Sequence, residues 1–255
     1  MKLLASDYDG TLKFGGKVMP EDIEAIRRWR EAGNLFVIVT GRSKESITRE
    51  LNEFNIPVDY YVTNNGGMVF DNKDAVLLST SLDTITAIDL MYASHEHPEV
   101  VSYVVNDGVH RHKVNVHPNL PDHRYPTLEP DWTEEEVMDS GRFAQVVFSC
   151  NTPEAALELA SQINHYFGET VVAYANNFVV DVVNKGISKA SGLDFVCAYT
   201  DVDEDDTFAI GDSYNDIPML ESVENSACVA AAPAEVQDAA SRVVISVGEL
   251  IASNL

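Results

Sequence analysis

Short, unbroken apolar runs recur along the chain, and each ends on a polar tip. Lys2-Leu3-Leu4-Ala5-Ser6 hands over to Asp7-Tyr8-Asp9-Gly10-Thr11-Leu12, and Leu35-Phe36-Val37-Ile38-Val39 to Thr40-Gly41-Arg42. Tyr60-Tyr61-Val62 ends at Thr63-Asn64-Asn65-Gly66, and Thr207-Phe208-Ala209-Ile210 at Gly211-Asp212-Ser213-Tyr214-Asn215-Asp216. Apolar runs without alternation are expected of parallel strands covered on both faces. Between the first two, the segment from Pro20 to Gly33 has a proline at a helix start and a glycine past its end. Strands alternating with helices predict right-handed crossovers and an α/β fold, a Rossmann-like doubly wound parallel sheet. Such sheets bind ligands outside the carboxyl ends of their strands, so all four polar tips are expected on one rim.

The alternation stops near residue 80. Val100 to Asn106 and Val109 to Val116 flank Asp107-Gly108, a strong hairpin turn, and Thr170 to Ala175 and Phe178 to Val183 flank Asn176-Asn177. Helices are predicted over Leu82 to Ser94 and Pro153 to Phe167, and His117 to Pro130, with its four prolines, reads as a long loop. Residues 82–185 are therefore expected to form an α+β insert in a core made of 1–81 and 186–255. Lys185-Gly186-Ile187-Ser188-Lys189-Ala190 opens a helix that returns the chain to its first pattern. An insert that enters and leaves beside the rim is placed to act as a lid.

Composition narrows the partners. Seventeen Lys plus Arg against 41 Asp plus Glu give a net charge of -24 over 255 residues, which argues against nucleic acid or an anionic membrane. The same charge opposes an anionic substrate unless a divalent cation sits at the acidic rim and inverts the local field. The acidic run from Asp201 to Asp206 reads as solvated surface. Cys150, Cys197 and Cys228 are odd in number, widely spaced and in apolar contexts, which predicts buried structural thiols and a reducing, cytoplasmic setting. No apolar run has transmembrane length, and Asp7 follows Met1 too closely for a cleaved targeting segment, so a soluble protein is expected.

The rim residues suggest phosphate chemistry. Asp7 and Asp212, on two different strands, supply the oxygen ligands that Mg2+ prefers. The Asp7 carboxylate can attack phosphorus, and Asp9, beyond the turn, can serve as general acid and then base. The Thr40 hydroxyl and the Gly41 amide offer donors to a charged phosphoryl group, and Lys189 offers a cation. A lysine at a helix start is disfavoured by the macrodipole, a hint that something anionic is nearby. The plain alternatives are polar turns and a solvent-exposed lysine.

Together these motifs resemble the haloacid dehalogenase superfamily, and within it the Cof-type sugar-phosphate phosphatases with a large α/β cap. DxDGT is matched by Asp7 to Thr11, TGR by Thr40 to Arg42, GxSK by Gly186 to Lys189 and GDxxND by Gly211 to Asp216, in order and around a correctly placed insert. The resemblance implies Asp7 as nucleophile, Asp9 as acid/base, and Mg2+ held by Asp7, the Asp9 carbonyl and Asp212. It places Asp216 on a metal-bound water or on Lys189, and Thr40, Gly41, Lys189, Asn65 and Asn215 around the phosphate, with Lys185 a rival for the lysine role. Arg42 is expected to touch substrate or to form a structural ion pair. In the strand from His110 to Val116, alternation puts Arg111, Lys113 and Asn115 on one face, to grip the rest of a sugar phosphate or simply to meet water. The expected activity is hydrolysis of small phosphorylated metabolites, sugar or polyol phosphates, through an aspartyl-phosphate, by a monomer or homodimer. The alternatives are a phosphomutase and a phospho-accepting signalling module.

Overall fold

Every residue of Leu3–Ser6 is buried. In the computed structural model, which describes residues 1–255, this strand runs parallel to Leu35–Val39 on one side and to Thr207–Gly211 on the other. The full sheet has eight strands in the order Val243–Val244, Asn225–Val229, Thr207–Gly211, Leu3–Ser6, Leu35–Val39, Tyr60–Thr63, Met68–Asp71 and Val76–Ser79. The sheet is mixed rather than wholly parallel, because Met68–Asp71 runs antiparallel to Tyr60–Thr63. The chain reverses there within the short turn Asn64–Gly66, which leaves no length for a crossover helix.

Alternation along the central strands divides two apolar layers. Leu4, Phe36 and Ile38 pack with Ile26 and Trp29 of the helix Pro20–Glu31. Leu3, Ala5, Val37 and Val39 pack with Leu193 and Val196 of the helix Lys189–Thr200. The chain divides into two compact units, one of Met1–Arg42, Ser46–Leu78 and Ser188–Leu255, the other of Ser43–Glu45 and Ser79–Ile187.

The second unit is a five-stranded sheet in the order Val171–Asn176, Val179–Asn184, Gln145–Cys150, Val100–Asn106, Arg111–Asn115, every pair antiparallel. Tyr103, Val105, Phe148 and Val180 on one face pack against Leu90 and Met91 of Thr84–Glu96 and Leu159 and Ile163 of Pro153–Phe167. On the other face Val104, Val147 and Val179 are covered by Tyr125 and Leu128. The proline-bearing loop thus lies along the sheet as a strap.

Asp122 fastens the strap. Its carboxylate accepts from Ser102 Oγ at 2.7 Å, Ser149 Oγ at 2.8 Å and the Tyr125 N–H at 2.8 Å, and it pairs with Lys113 Nζ at 2.9 Å. Lys113 is therefore only 5% exposed and points at its own loop, so neither of the two roles expected for it, gripping substrate or facing water, describes its position. Arg111 is half-buried and Asn115 exposed. A capped helix at Glu134–Ser140 follows the strap, with Thr133 and Glu136 forming its capping box. The three cysteines are unpaired; Cys150 and Cys228 are buried, whereas Cys197 is only half-buried, its Sγ 3.6 Å from Thr207 Oγ1. No helix is long and apolar enough to cross a membrane.

Candidate active site

Four adjacent parallel strands present their carboxyl ends together, and the first residue beyond each is polar. The Asp7 N–H donates to Ile210 O at 2.9 Å, so the ladder extends one residue past Leu3–Ser6 and fixes the Asp7 backbone at the sheet edge. Gly10 then turns the chain at φ +96°; a Cβ there would lie 2.2 Å from Asp212 Oδ2. Only glycine lets the first turn approach the Asp212 carboxylate this closely.

Lys189 reaches the site by a second close approach. Its helix is capped by Ser188, whose Oγ accepts from the Ser191 N–H at 3.3 Å. The helix lies against the Asn64–Gly66 turn: a Cβ on Gly66, at φ +103°, would sit 1.9 Å from the Ser188 carbonyl, and one on Gly192 would sit 2.9 Å from Gly66 Cα. Lys189 Nζ then donates to Asp7 Oδ1 at 2.6 Å and Asp216 Oδ1 at 2.5 Å, fully buried. Burial alone lowers an ammonium's pKa, but the Asp216 and Asp7 carboxylates outweigh it and raise that of Lys189. Lys185, by contrast, is 3.8 Å from Glu169 with a largely exposed side chain.

Asp216 is occupied twice over. Its Oδ1 holds Lys189, and its Oδ2 accepts from the Asp212 N–H at 3.0 Å and the Ser213 N–H at 2.9 Å. Asp212 Oδ1 accepts from Thr11 Oγ1 at 2.8 Å. Asp7 Oδ2 is buried with no hydrogen-bond partner. One carboxylate oxygen each from Asp7, Asp212 and Asp216 lie within 4.8 Å of one another. Burial pushes the Asp7 carboxyl well above the usual range; Lys189 opposes this, and Asp216 and Asp212 add to it. Burial, then Asp216, push Asp212 the same way. A hard divalent cation fits this set: the donors are all oxygen, one lone-pair-bearing atom is buried and unpartnered, and crowded carboxylates are relieved by positive charge. Asp7, Asp212 and Asp216 each offer an oxygen to such a cation, while the Asp216 oxygens also hold Lys189 and the Asp212 turn.

Thr40 is 2% exposed; its N–H donates to Val62 O and its Oγ1 accepts from the Arg42 N–H at 3.2 Å. Asn65 braces this tip from behind: its N–H donates to Thr40 O at 3.0 Å, and its Oδ1 accepts from Asn215 Nδ2 at 2.9 Å. Asn64 and Asn65 both take left-handed backbone, at φ 51° and 53°, a conformation asparagine tolerates better than most residues. A Cβ on Gly41 would meet the Asn65 amide at 3.0 Å.

Asp9 is engaged by a neighbouring side chain. Arg42 grips it with both prongs, Nε to Oδ2 at 2.5 Å and Nη2 to Oδ1 at 2.7 Å. Of the two roles expected for Arg42, the ion pair is the one seen. Two residues of the site lie outside those the sequence singles out: Thr11, whose hydroxyl donates to Asp212, and Glu50, which accepts from Arg42 Nη1 and carries no local signal at all.

Known proteins share this arrangement of chain. A family model described as haloacid dehalogenase-like hydrolase matches residues 4–249. The HAD subclass IIB sugar phosphatase BT4131 is 25% identical with a TM-score of 0.78, over 98% of this chain and 95% of its own. BT1666 from Bacteroides thetaiotaomicron, a HAD-superfamily phosphatase, superimposes at TM-score 0.82 with 23% identity, over 99% and 93%. The stress response protein YhaX of Bacillus subtilis is 24% identical over 86% of this chain and 80% of its own. With the aspartates and threonine of separate strand tips on one rim, Lys189 brought to Asp7 from the start of a helix, and the match running nearly end to end, the chain belongs to the haloacid dehalogenase-like hydrolases.

Proposed function

We propose that the protein is a Mg2+-dependent phosphatase that hydrolyses small phosphorylated metabolites, sugar or polyol phosphates, through an aspartyl-phosphate on Asp7. The observation that carries this reading is the division of labour within one carboxylate: Asp7 Oδ1 is anchored by Lys189, while Oδ2 is buried and unpartnered. The Asp7 carboxylate forms a bond to phosphorus, the ester P–O bond breaks, and the departing oxygen takes a proton from Asp9, which carries that proton on an oxygen released from its two-pronged pair with Arg42. Asp9 then accepts a proton from the water that attacks phosphorus, and the bond to Asp7 breaks, releasing inorganic phosphate. Lys189 and the donors of Thr40 and Gly41 stabilise the charge spread over the phosphoryl oxygens. Magnesium held by Asp7 and Asp212 supplies further positive charge there when bound. We assign choice among esters to the inserted unit, with Arg111 the leading residue; Lys113, fastened to Asp122, is set aside.

The reading is tested by measuring phosphate release from a panel of hexose, pentose and polyol phosphates, with Mg2+ and with chelator. Release that needs the metal, with a phosphoenzyme trapped on wild type and none on Asp7→Asn, is expected. Turnover by Asp7→Asn within about tenfold of wild type would remove the covalent route.

A further inference from the structure

Around Asp9 lies a second, charge-balanced cluster that the phosphate-handling groups do not use. Arg42 gives two prongs to Asp9; its remaining Nη1 donates to Glu50 Oε1 at 3.0 Å and to Ser46 Oγ at 3.3 Å. The other Glu50 oxygen accepts from Tyr8 Oη at 3.0 Å and pairs with Lys13 Nζ. Tyr8 is fully buried between Asp7 and Asp9 in sequence, and the Arg42 guanidinium lies over its ring, 5.3 Å from the centroid. Lys13 starts the two-stranded hairpin Lys13–Phe14 with Lys17–Val18. Glu50 projects from the helix Lys44–Phe54 with its side chain 17% exposed. It thereby touches Arg42, Tyr8 and Lys13, each adjacent to Asp9 in space or in sequence.

We infer that Glu50 is a positioning residue for proton transfer: by fixing Arg42, Tyr8 and Lys13 together, it sets where the Asp9 carboxyl stands relative to the departing ester oxygen. The inference rests on the phosphatase reading of Asp9. A guanidinium is a rigid fork, so its plane aims whatever carboxylate it grips, and three donors converging on Glu50 fix that plane from behind. Removing the Glu50 charge leaves the third prong with neutral acceptors only, Ser46 Oγ among them, and leaves two cations beside Asp9 with one anion fewer. The transferred proton moves from an Asp9 oxygen that Arg42 has released to the ester oxygen as the P–O bond breaks, and this step matters most when the leaving alcohol is a poor one.

The test compares kcat/KM, which reports formation of the phosphoenzyme, for 4-nitrophenyl phosphate and for the hexose or polyol phosphate that wild type hydrolyses fastest. Glu50→Gln is expected to lower the alkyl ester value by about tenfold or more and the aryl value by less than about threefold, since a nitrophenolate leaves without protonation. In an Asp9→Ala background Glu50→Gln should have no further effect on the alkyl ester. Tyr8→Phe, which removes only one donor to Glu50 and no charge, should shift the same ratio in the same direction and guards against a misfolded Glu50 variant. Equal losses on both esters, or an undiminished effect without Asp9, would overturn the role of Glu50 alone. If Asp9→Ala itself leaves the alkyl-to-aryl ratio at its wild-type value, the reading of Asp9 falls and the role of Glu50 with it.

Discussion

Gly66 shows how one missing side chain determines where the buried Lys189 ammonium stands. A methyl group there would occupy the Ser188 carbonyl, and the backbone at φ +103° is strained for any other residue. Gly66→Ala is expected to destabilise the protein by about 3 kcal/mol or more and to lower kcat further than the stability loss explains, because Ser188 and Lys189 must move together; thermal melting beside kcat measures both. Gly10→Ala belongs to the same class, but its clash falls on Asp212, so its mark should be weakened metal affinity. Much at this scale was legible in advance. Asp7, Thr40, Lys189 and Asp212 announce themselves as polar tips or motif members, because strand ends are encoded locally. Glu50 and Asp122 were not, since each acts through partners that only the folded chain brings near, and no periodicity marks them.

Among the elements, the strap from residue 117 to 131 carries the clearest energetic prediction. Burial works against the Asp122 carboxylate, yet Lys113, Ser102, Ser149 and the Tyr125 N–H together hold its pKa below the usual range. A carboxylate lowered on folding contributes stability that is fully present above its unfolded value, near 4, and is lost as pH falls through the lower folded value. Asp122→Asn is therefore expected to cost about 3 kcal/mol at neutral pH, leaving Lys113 buried without a counter-charge, and to flatten the acid limb of stability below about pH 4. Urea melts at pH 7 and pH 3 measure both. The loop itself was foreseen from its prolines; that it lies on a sheet face was not, because Tyr125 and Leu128 carry no alternation that marks them as core. The antiparallel strand Met68–Asp71 escaped for a similar reason: its apolar run looks like its parallel neighbours, and only the turn before it differs.

For the molecule as a whole, charge is the governing quantity. With a net charge of -24, part of it gathered at Asp7, Asp212 and Asp216, the fold works against its own repulsion. Magnesium at about a hundred times its dissociation constant should raise stability by about 2.7 kcal/mol, an increment largely absent in Asp212→Asn; calorimetry with and without chelator reads it. Sodium chloride should also raise the melting temperature of the metal-free protein, but without distinguishing that variant from wild type. The two units differ in how they are encoded. The inserted sheet is nearly continuous in sequence, from Ser79 to Ile187, and residues 79–187 expressed alone should melt cooperatively, as far-ultraviolet circular dichroism would record.

The central strand Leu3–Ser6 bonds on one flank to Leu35–Val39 and on the other to Thr207–Gly211. During synthesis that second flank stays open while the ribosome adds some two hundred further residues, at about 5–20 per second. A greasy, half-matched edge then waits many seconds beside other nascent chains, an invitation to illicit pairing that chaperones exist to refuse. Asp7 meets Lys189 only after some 182 further positions of chain have been made.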